Sequence, residues 1–399
     1  MNRKRITLIT ILLIAITIII VSVWVVNRTS LESRIAALDA QRYVPDANNA
    51  ALPYTRYILL ASDRRIALEL CDKIPSLPVH EMDSAVANDI TFLVNNPNIN
   101  KSQIVFTESQ PWQKSDAPYM ADWLDQRQKI FQGLSEASKK LGCFFPMIQS
   151  PDRISILDIP WAGPFRKLAS VLRRAAYYDL GEGRIHEAID KIETIIRMAH
   201  HLQQQPTEAY LLVGCFSLEL RGIEMMADII INGSILAEDL DTFDALYMQP
   251  QIDLSERRKE TGLGTAWRQR HAANTISWRQ QFQMKWQDLF GDRFLDLPFT
   301  PVSAGLADLD SKRHAQRILV ALRRYRNRTG QWPESLNSIA SDLPREVFID
   351  PQCDMPYVYQ LTETGFRLYS KGANGRDDNG KRTRKKGPDD IVIWQTGDN

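Results

Sequence analysis

The stretch FRKLASVLRRAAYYDLGEGRIHEAIDKIETIIRMAHHL, residues 165–202, decides how the central part of this 399-residue chain folds. Phe165, Leu168, Ala169, Leu172, Ala175 and Ala176 recur at three- and four-residue intervals, which puts them on one face of a helix, with Arg166, Lys167, Arg173 and Arg174 nearby. Gly181-Glu182-Gly183 interrupts the pattern. Ala188, Ile192, Ile195, Ile196 and Ala199 then restart it over 184–202. Two amphipathic helices joined by a short glycine turn make an αα-hairpin.

A third helix is expected from about Thr207 towards Ile231, where Asn232-Gly233 ends it. Successive helices of this length bury one another's apolar faces, as stacked helical arrays do. Residues 175–184 with Glu187-Ala188 loosely resemble the turn of a tetratricopeptide repeat. No regular period of that kind runs through the chain, so the segment reads as a helical scaffold.

Towards the amino terminus, residues 6–26, ITLITILLIAITIIIVSVWVV, carry no charge. As a helix they extend about 31 Å, against about 30 Å for the hydrocarbon core of a bilayer, so the run reads as one membrane span. It exceeds the apolar part of a cleaved signal and lacks a small-residue cleavage site. Arg3, Lys4 and Arg5 precede it, whereas Arg28 and Arg34 after it are offset by Glu32. That asymmetry predicts an amino terminus inside a bacterial inner membrane and an extracytoplasmic bulk. Residues 211–216 and 225–231 are also apolar, but Glu208, Glu219 and Asp228 mark them as core helices.

The 49 basic residues nearly balance the 48 acidic ones, leaving a net charge of +1 and no general case for nucleic-acid binding. Arg257, Arg258, Lys259, Arg268, Arg270 and Arg279 occur with Trp267, Trp278, Phe282 and Trp286, a set that suits nucleic acid or anionic headgroups and that helix packing with a solvated basic edge explains more simply. Cys71, Cys143, Cys215 and Cys353 show no metal-ligand spacing and do not select a disulfide pairing. His200 and His201 point in different directions on their helix and share no ligand set with His186. No nucleophile elbow, phosphate loop or HExxH motif occurs.

Beyond the break at Leu297-Pro298-Phe299-Thr300-Pro301, a helix is expected from about Asp308 to Arg328, with Ala315, Ile318, Leu319, Leu322 and Tyr325 on one face. Leu336 and Ile339 fit a short helical turn. Residues 355–361 and 366–370 alternate across Thr362-Glu363-Thr364-Gly365 as a β-hairpin, and 389–394 supply a last strand. A helix across a small antiparallel sheet makes a compact α+β unit.

This unit resembles the globular domain of type II secretion major pseudopilins. The resemblance rests on residues 318–325, Gly330-Gln331-Trp332-Pro333, Asp350-Pro351, Pro356-Tyr357-Val358-Tyr359, residues 366–375 and Asp389-Asp390-Ile391. It implies a minimal pilin fold and a calcium-binding final loop. Asn374, Asp377, Asp378, Asp389 and Asp390 offer the hard oxygen donors that Ca2+ prefers, and carbonyls near Ser370 or Gly372 could add to them. A basic run, Lys381, Arg382, Arg384, Lys385 and Lys386, offers ion pairing as a competing use of the same aspartates. The chain departs from the family in lacking a prepilin leader, and some 280 residues separate the apolar run from the helix.

The expected architecture is multidomain: a transmembrane helix within 1–30, a predominantly α-helical extracytoplasmic scaffold over 31–300, subdivided near 160, and a pseudopilin-like α+β domain over 301–399. The expected function is a membrane-anchored structural or protein-interaction component of a secretion or envelope assembly, with an envelope protein as partner. The alternative is an envelope-associated enzyme with a pocket in the helical region.

Overall fold

The computed structural model describes residues 48–51, 53, 54, 57, 101–143, 148, 149, 157, 158, 162–204, 209–233, 235–247, 299–382 and 389–396. Ala51, Pro53, Tyr54 and Tyr57 are helical, and the helices with described bounds begin with α1 (Lys101–Ser109), α2 (Pro118–Asp125) and α3 (Gln128–Ser138). A two-residue pair, β1 (Ile148–Gln149) with β2 (Leu157–Asp158), precedes α4 (Ala162–Gly181), α5 (Ile185–Gln204), α6 (Ala209–Asn232) and α7 (Ala237–Tyr247). The long α8 (Phe299–Thr329) leads through two 3-10 turns into β3 (Ile349–Asp350), β4 (Met355–Pro356), β5 (Val358–Leu361), β6 (Phe366–Ser370) and β7 (Ile391–Gln395).

The hairpin of α4 and α5 forms where the apolar periodicity places it. Phe165, Leu168, Leu172 and Ala176 are buried against Ala188, Ile192, Ile196 and Ala199 in one continuous core. Burial of this kind contributes roughly 1.5–3 kcal/mol for each large aliphatic or aromatic side chain. The turn is also locked by charge. The buried Asp179 carboxylate accepts from Arg184 Nε at 2.8 Å and lies 2.6 Å from Lys191 Nζ, joining the end of one helix to the second turn of the next. Gly181 is required for a different reason, because a Cβ there would sit 1.9 Å from the Trp112 carbonyl oxygen. Trp112 crosses the end of α4 at that point, its Nε1 donating to the Arg174 carbonyl at 3.2 Å.

The third helix, α6, packs across α5 on one side and α8 on the other. Ala315, Ile318, Leu319, Val320 and Leu322 of α8 are all fully buried. The same helix therefore belongs to two layers: it completes the helical core and also carries the sheet. β5, β6 and β7 form an antiparallel sheet, with Leu361 opposite Phe366 closing the hairpin and a register shift between Leu368 and Tyr369. β3 and β4 pair separately. Trp332 meets Phe366 edge-on at 4.8 Å between centroids, and Tyr359 stacks on the same ring at 5.4 Å.

Arg323 of α8 caps α6. Its Nη1 donates to the Ile231 carbonyl at 2.9 Å and its Nη2 to the Gly233 carbonyl at 2.6 Å, where α6 leaves its last acceptors unmatched. Arg323→Ala is expected to lower stability by about 1.5–3 kcal/mol, the range for hydrogen bonds involving a charged group. Urea unfolding followed by tryptophan emission measures it, and a loss no larger than that of an exposed Arg→Ala control would contradict the capping role.

Two expectations are corrected by the fold. The helix after the proline-rich break begins at Phe299 rather than near Asp308. Thr300-Pro301 falls in its first turn, where proline's missing N–H leaves no helical hydrogen bond broken. The second correction concerns the membrane. Residues 6–26 lie outside the described residues, and among the described ones no helix is long and apolar enough to cross a bilayer. The 24-residue α6 comes nearest in length, but Glu219, Arg221, Glu224 and Asp228 interrupt it. The architecture observed is thus predominantly helical with a small carboxy-terminal sheet. The transmembrane class, the inner-membrane topology and the membrane and envelope partners derived from it have no support in the fold and do not stand. The basic-aromatic residues 257–286, the helical extension at 31–38 and the loop around 75–98 also lie outside the described residues.

Candidate metal centre

The loop between β6 and β7 doubles back on itself. Gly372 adopts φ +62°, Gly375 +66°, Asn379 +57° and Gly380 +73°, left-handed values that leave little room for bulky side chains. An isolated antiparallel bridge between Arg382 and Asp389 brings the ends of the loop together. At Gly372 a Cβ would come within 2.3 Å of the Asp389 carbonyl oxygen and 2.7 Å of its Oδ1, so only glycine lets the two backbones approach this closely.

That approach gathers three acids. One carboxylate oxygen each from Asp378, Asp389 and Asp390 lies within 4.8 Å of the others. Asp390 is fully buried, and Asp378 and Asp389 are half-buried. Asp390 Oδ2 accepts from the backbone N–H groups of Asp378 at 2.9 Å and Gly380 at 2.7 Å, and Asp389 Oδ2 accepts from the Asn374 N–H at 3.2 Å. Asp389 Oδ1 and Asp390 Oδ1 are buried without a hydrogen-bond donor. Burial pushes the Asp390 carboxyl up from its ordinary value. The Gly380 and Asp378 N–H groups oppose that shift, and the neighbouring Asp378 and Asp377 charges add to it.

Unmatched buried oxygens and crowded negative charge are both relieved by a cation with several positive charges. The three carboxylates can therefore coordinate a divalent cation, and an all-oxygen donor set selects hard ions.

The other expected ligands are placed differently. Asp377 is turned away: its Oδ1 accepts from the Tyr369 hydroxyl at 2.9 Å and from the Asn379 N–H at 3.0 Å. Burial first, and then Asp377, raise the Tyr369 phenol to about 12. Asn374 stands beside the cluster, its Nδ2 donating to Asp378 Oδ2 at 3.3 Å while its Oδ1 accepts from the Arg376 N–H at 2.5 Å. Arg382 pairs with Asp308 of α8 at 2.9 Å, and no lysine or arginine among the described residues pairs with the four loop aspartates. Arg384, Lys385 and Lys386 lie outside the described residues.

Two polar clusters escaped the sequence reading. Glu219, fully buried on α6, receives Arg313 of α8 in two parallel bonds of 2.7 and 2.8 Å, Gln203 Nε2 at 2.6 Å and His200 Nε2 at 3.2 Å. An acid within an apolar helical run is a signal of a buried partner, but the partner lies 94 residues away. Asp350, also fully buried, accepts from the Ser311 and Ser370 hydroxyls, the Gln352 N–H at 2.9 Å and the Cys353 thiol at 3.6 Å. Ser370 Oγ in turn accepts from the Gly372 N–H at 2.9 Å, so Asp350 supports the glycine that holds Asp389 in place. Cys143 and Cys215 are buried, Cys353 is half-buried, and Cys71 lies outside the described residues.

Compared with known proteins, the chain matches no family model, no curated protein and no solved structure. The pseudopilin resemblance therefore fails as an identity. The packing of α8 gives a physical reason, since the helix that would carry a self-standing pilin domain is embedded by Arg313, Ile318 and Leu322 in the helical core. The secretion role inferred from that resemblance falls with it.

Proposed function

We propose that the loop over 374–390 is a calcium-binding clasp and that the ion's task is structural. Asp378, Asp389 and Asp390 act as the carboxylate ligands. Asn374 borders the ion, and Asp377 steadies the loop through Tyr369. The observation that carries this reading is the pair of donor-free buried oxygens, Asp389 Oδ1 and Asp390 Oδ1, inside a cluster of three acids. Calcium suits an irregular loop because it accepts six to eight oxygens in flexible geometry, with backbone carbonyls and water filling the remaining positions. Magnesium requires near-octahedral ligands at shorter distances. Holding Asp378 and Asp390 together fixes the loop on β6 and β7, and Arg382 carries the constraint to Asp308 on α8.

The test is calorimetric titration of the chelator-treated full chain with CaCl2 and with MgCl2, together with thermal unfolding in calcium and in chelator. A ligand that binds only the folded state stabilises it by about 2.7 kcal/mol at one hundred times its Kd. Calcium is expected to raise the melting temperature more than magnesium does, and Asp390→Asn to remove most of the rise. The pH dependence follows from the raised Asp390 carboxyl. Without calcium, its contribution to stability is complete below the ordinary aspartate value and is lost as pH rises through the raised one; calcium offsets that loss. A melting temperature indifferent to calcium and to chelator, with no heat of binding, would overturn the assignment.

A further inference from the structure

His201, near the end of α5, joins two distant parts of the chain. Its Nε2 lies 2.8 Å from the Lys140 carbonyl oxygen, 61 residues away, and its Nδ1 lies 2.9 Å from the Tyr54 hydroxyl, 147 residues away. A carbonyl only accepts, so Nε2 carries the hydrogen. Nδ1 is then the lone-pair nitrogen of a neutral ring, and Tyr54 donates to it. Tyr54 is fully buried and His201 nearly so, and the Tyr54 ring also meets Phe165 edge-on at 5.1 Å. Around this point the two segments hold each other: the Ala50 N–H donates to the Gly142 carbonyl at 2.7 Å, and the Gly142 N–H to the Asn48 carbonyl at 3.2 Å. The Cys143 N–H donates to Gln204 Oε1 at 3.0 Å, closing the loop onto α5.

We infer that His201 is an acid-sensitive latch: its neutral ring holds residues 48–51 and Tyr54, together with loop 140–143, on α5, and its protonation releases both together. A second ring proton on Nδ1 would meet the Tyr54 hydroxyl hydrogen, so the phenol must turn and give up its bond to Nδ1. Among the described residues no carboxylate acts on the ring. The charged or titratable groups acting on the ring from its own helix are Arg197 and His200; loop 140–143 presents a carbonyl at Lys140. The Cys143 thiol, which faces Tyr54, is driven up by burial and stays neutral. Tyr54 itself is raised by burial first and then by Cys143. Burial, reinforced by His200 and Arg197 against the opposing Lys140 carbonyl, lowers the ring to about 4 from an ordinary 6.5.

Because the folded value is depressed, the latch is complete above about pH 6.5 and weakens as pH falls towards 4. Between those values the released form gains about 30-fold at pH 5. This window lies above the one in which Glu219 titrates, so the latch opens before the Glu219–Arg313 pair weakens.

Hydrogen exchange on the full chain at pH 7.5 and 5.0, corrected for intrinsic rates, reads the latch directly. The amides of Ala50, Gly142 and Cys143 are expected to lose about 30-fold in protection at pH 5 while those within α6 and α8 keep theirs. His201→Gln, neutral throughout, is expected to abolish the pH dependence. Should that variant not fold, Tyr54→Phe removes a single oxygen and is expected to raise the midpoint of the His201 ring in an NMR titration. Protection unchanged at pH 5, protection lost equally in α6 and α8, pH-dependent release that persists in His201→Gln, or a native ring titrating near 6.5 would each overturn the proposal.

Discussion

Glu219→Ala is expected to destabilise the chain by about 3–5 kcal/mol, the range for removing one partner of a buried ion pair. The carboxylate is fully buried and engages Arg313, Gln203 and His200. Burial alone would push its pKa up, but His200 and Arg313 overcome that and hold it at about 2. The cost of deletion comes from what remains: Arg313 would keep only Asp310, at 3.1 Å, to balance its charge in the core. Chemical denaturation of the single variant measures this. The paired change Glu219→Met with Arg313→Met tests the cause, since replacing both charges by apolar groups leaves no orphan and is expected to cost less than Glu219→Met alone. If the pair were the more damaging, orphaned charge would not be the reason. The depressed value also sets an acid limit. This stabilisation is complete above about 4.5 and is lost as pH falls through about 2, roughly 3 kcal/mol in all.

Asp350→Ala is expected to cost a similar amount, about 3–5 kcal/mol, by a different route. Its carboxylate collects two buried hydroxyls and one backbone N–H, and each buried donor left unmatched costs about 1–3 kcal/mol. Ser370 cannot redirect its bond easily, because its oxygen already accepts from the Gly372 N–H. Asp350→Asn keeps one acceptor oxygen and puts an amide N–H2 where the second stood, so it is expected to fall between wild type and alanine. Both variants unfolding within about 1 kcal/mol of wild type would show that the carboxylate is not the tie between α8 and the sheet. Calcium response should weaken in Asp350→Ala as well, since Gly372 lies against Asp389.

The helical pattern was readable wherever a stripe of apolar residues had one side to bury. Phe165 to Ala176 and Ala188 to Ala199 required only the helical period, and the hairpin at Thr362–Gly365 only alternation and a turn. Short helices such as α1 carry too little patterning to stand out, and α7 is brief and acidic at its start. The apolar run at 6–26 reads as a span from hydropathy alone and lies outside the described residues, and no described helix is long and apolar enough to cross a bilayer. At the candidate site, oxygen-rich side chains were visible in the sequence, but their directions were not. Left-handed turns and the close approach at Gly372 bring Asp378, Asp389 and Asp390 together, while Tyr369 turns Asp377 aside. Glu219 with Arg313, and Tyr54 with His201, join residues from distant segments, and no local spacing announces such pairs.

The position of α8 in the chain has a consequence for synthesis. The helical core is completed by a helix that emerges late, and Glu219 is made 94 residues before the arginine that neutralises it. At roughly 5–20 residues per second, the nascent α5 and α6 wait on the order of 5–20 s with an uncovered apolar face and an acid destined for burial. Until Arg313 leaves the ribosome, that acid favours water over docking, which delays collapse of the unfinished core and keeps the growing chain from closing on itself in the wrong order.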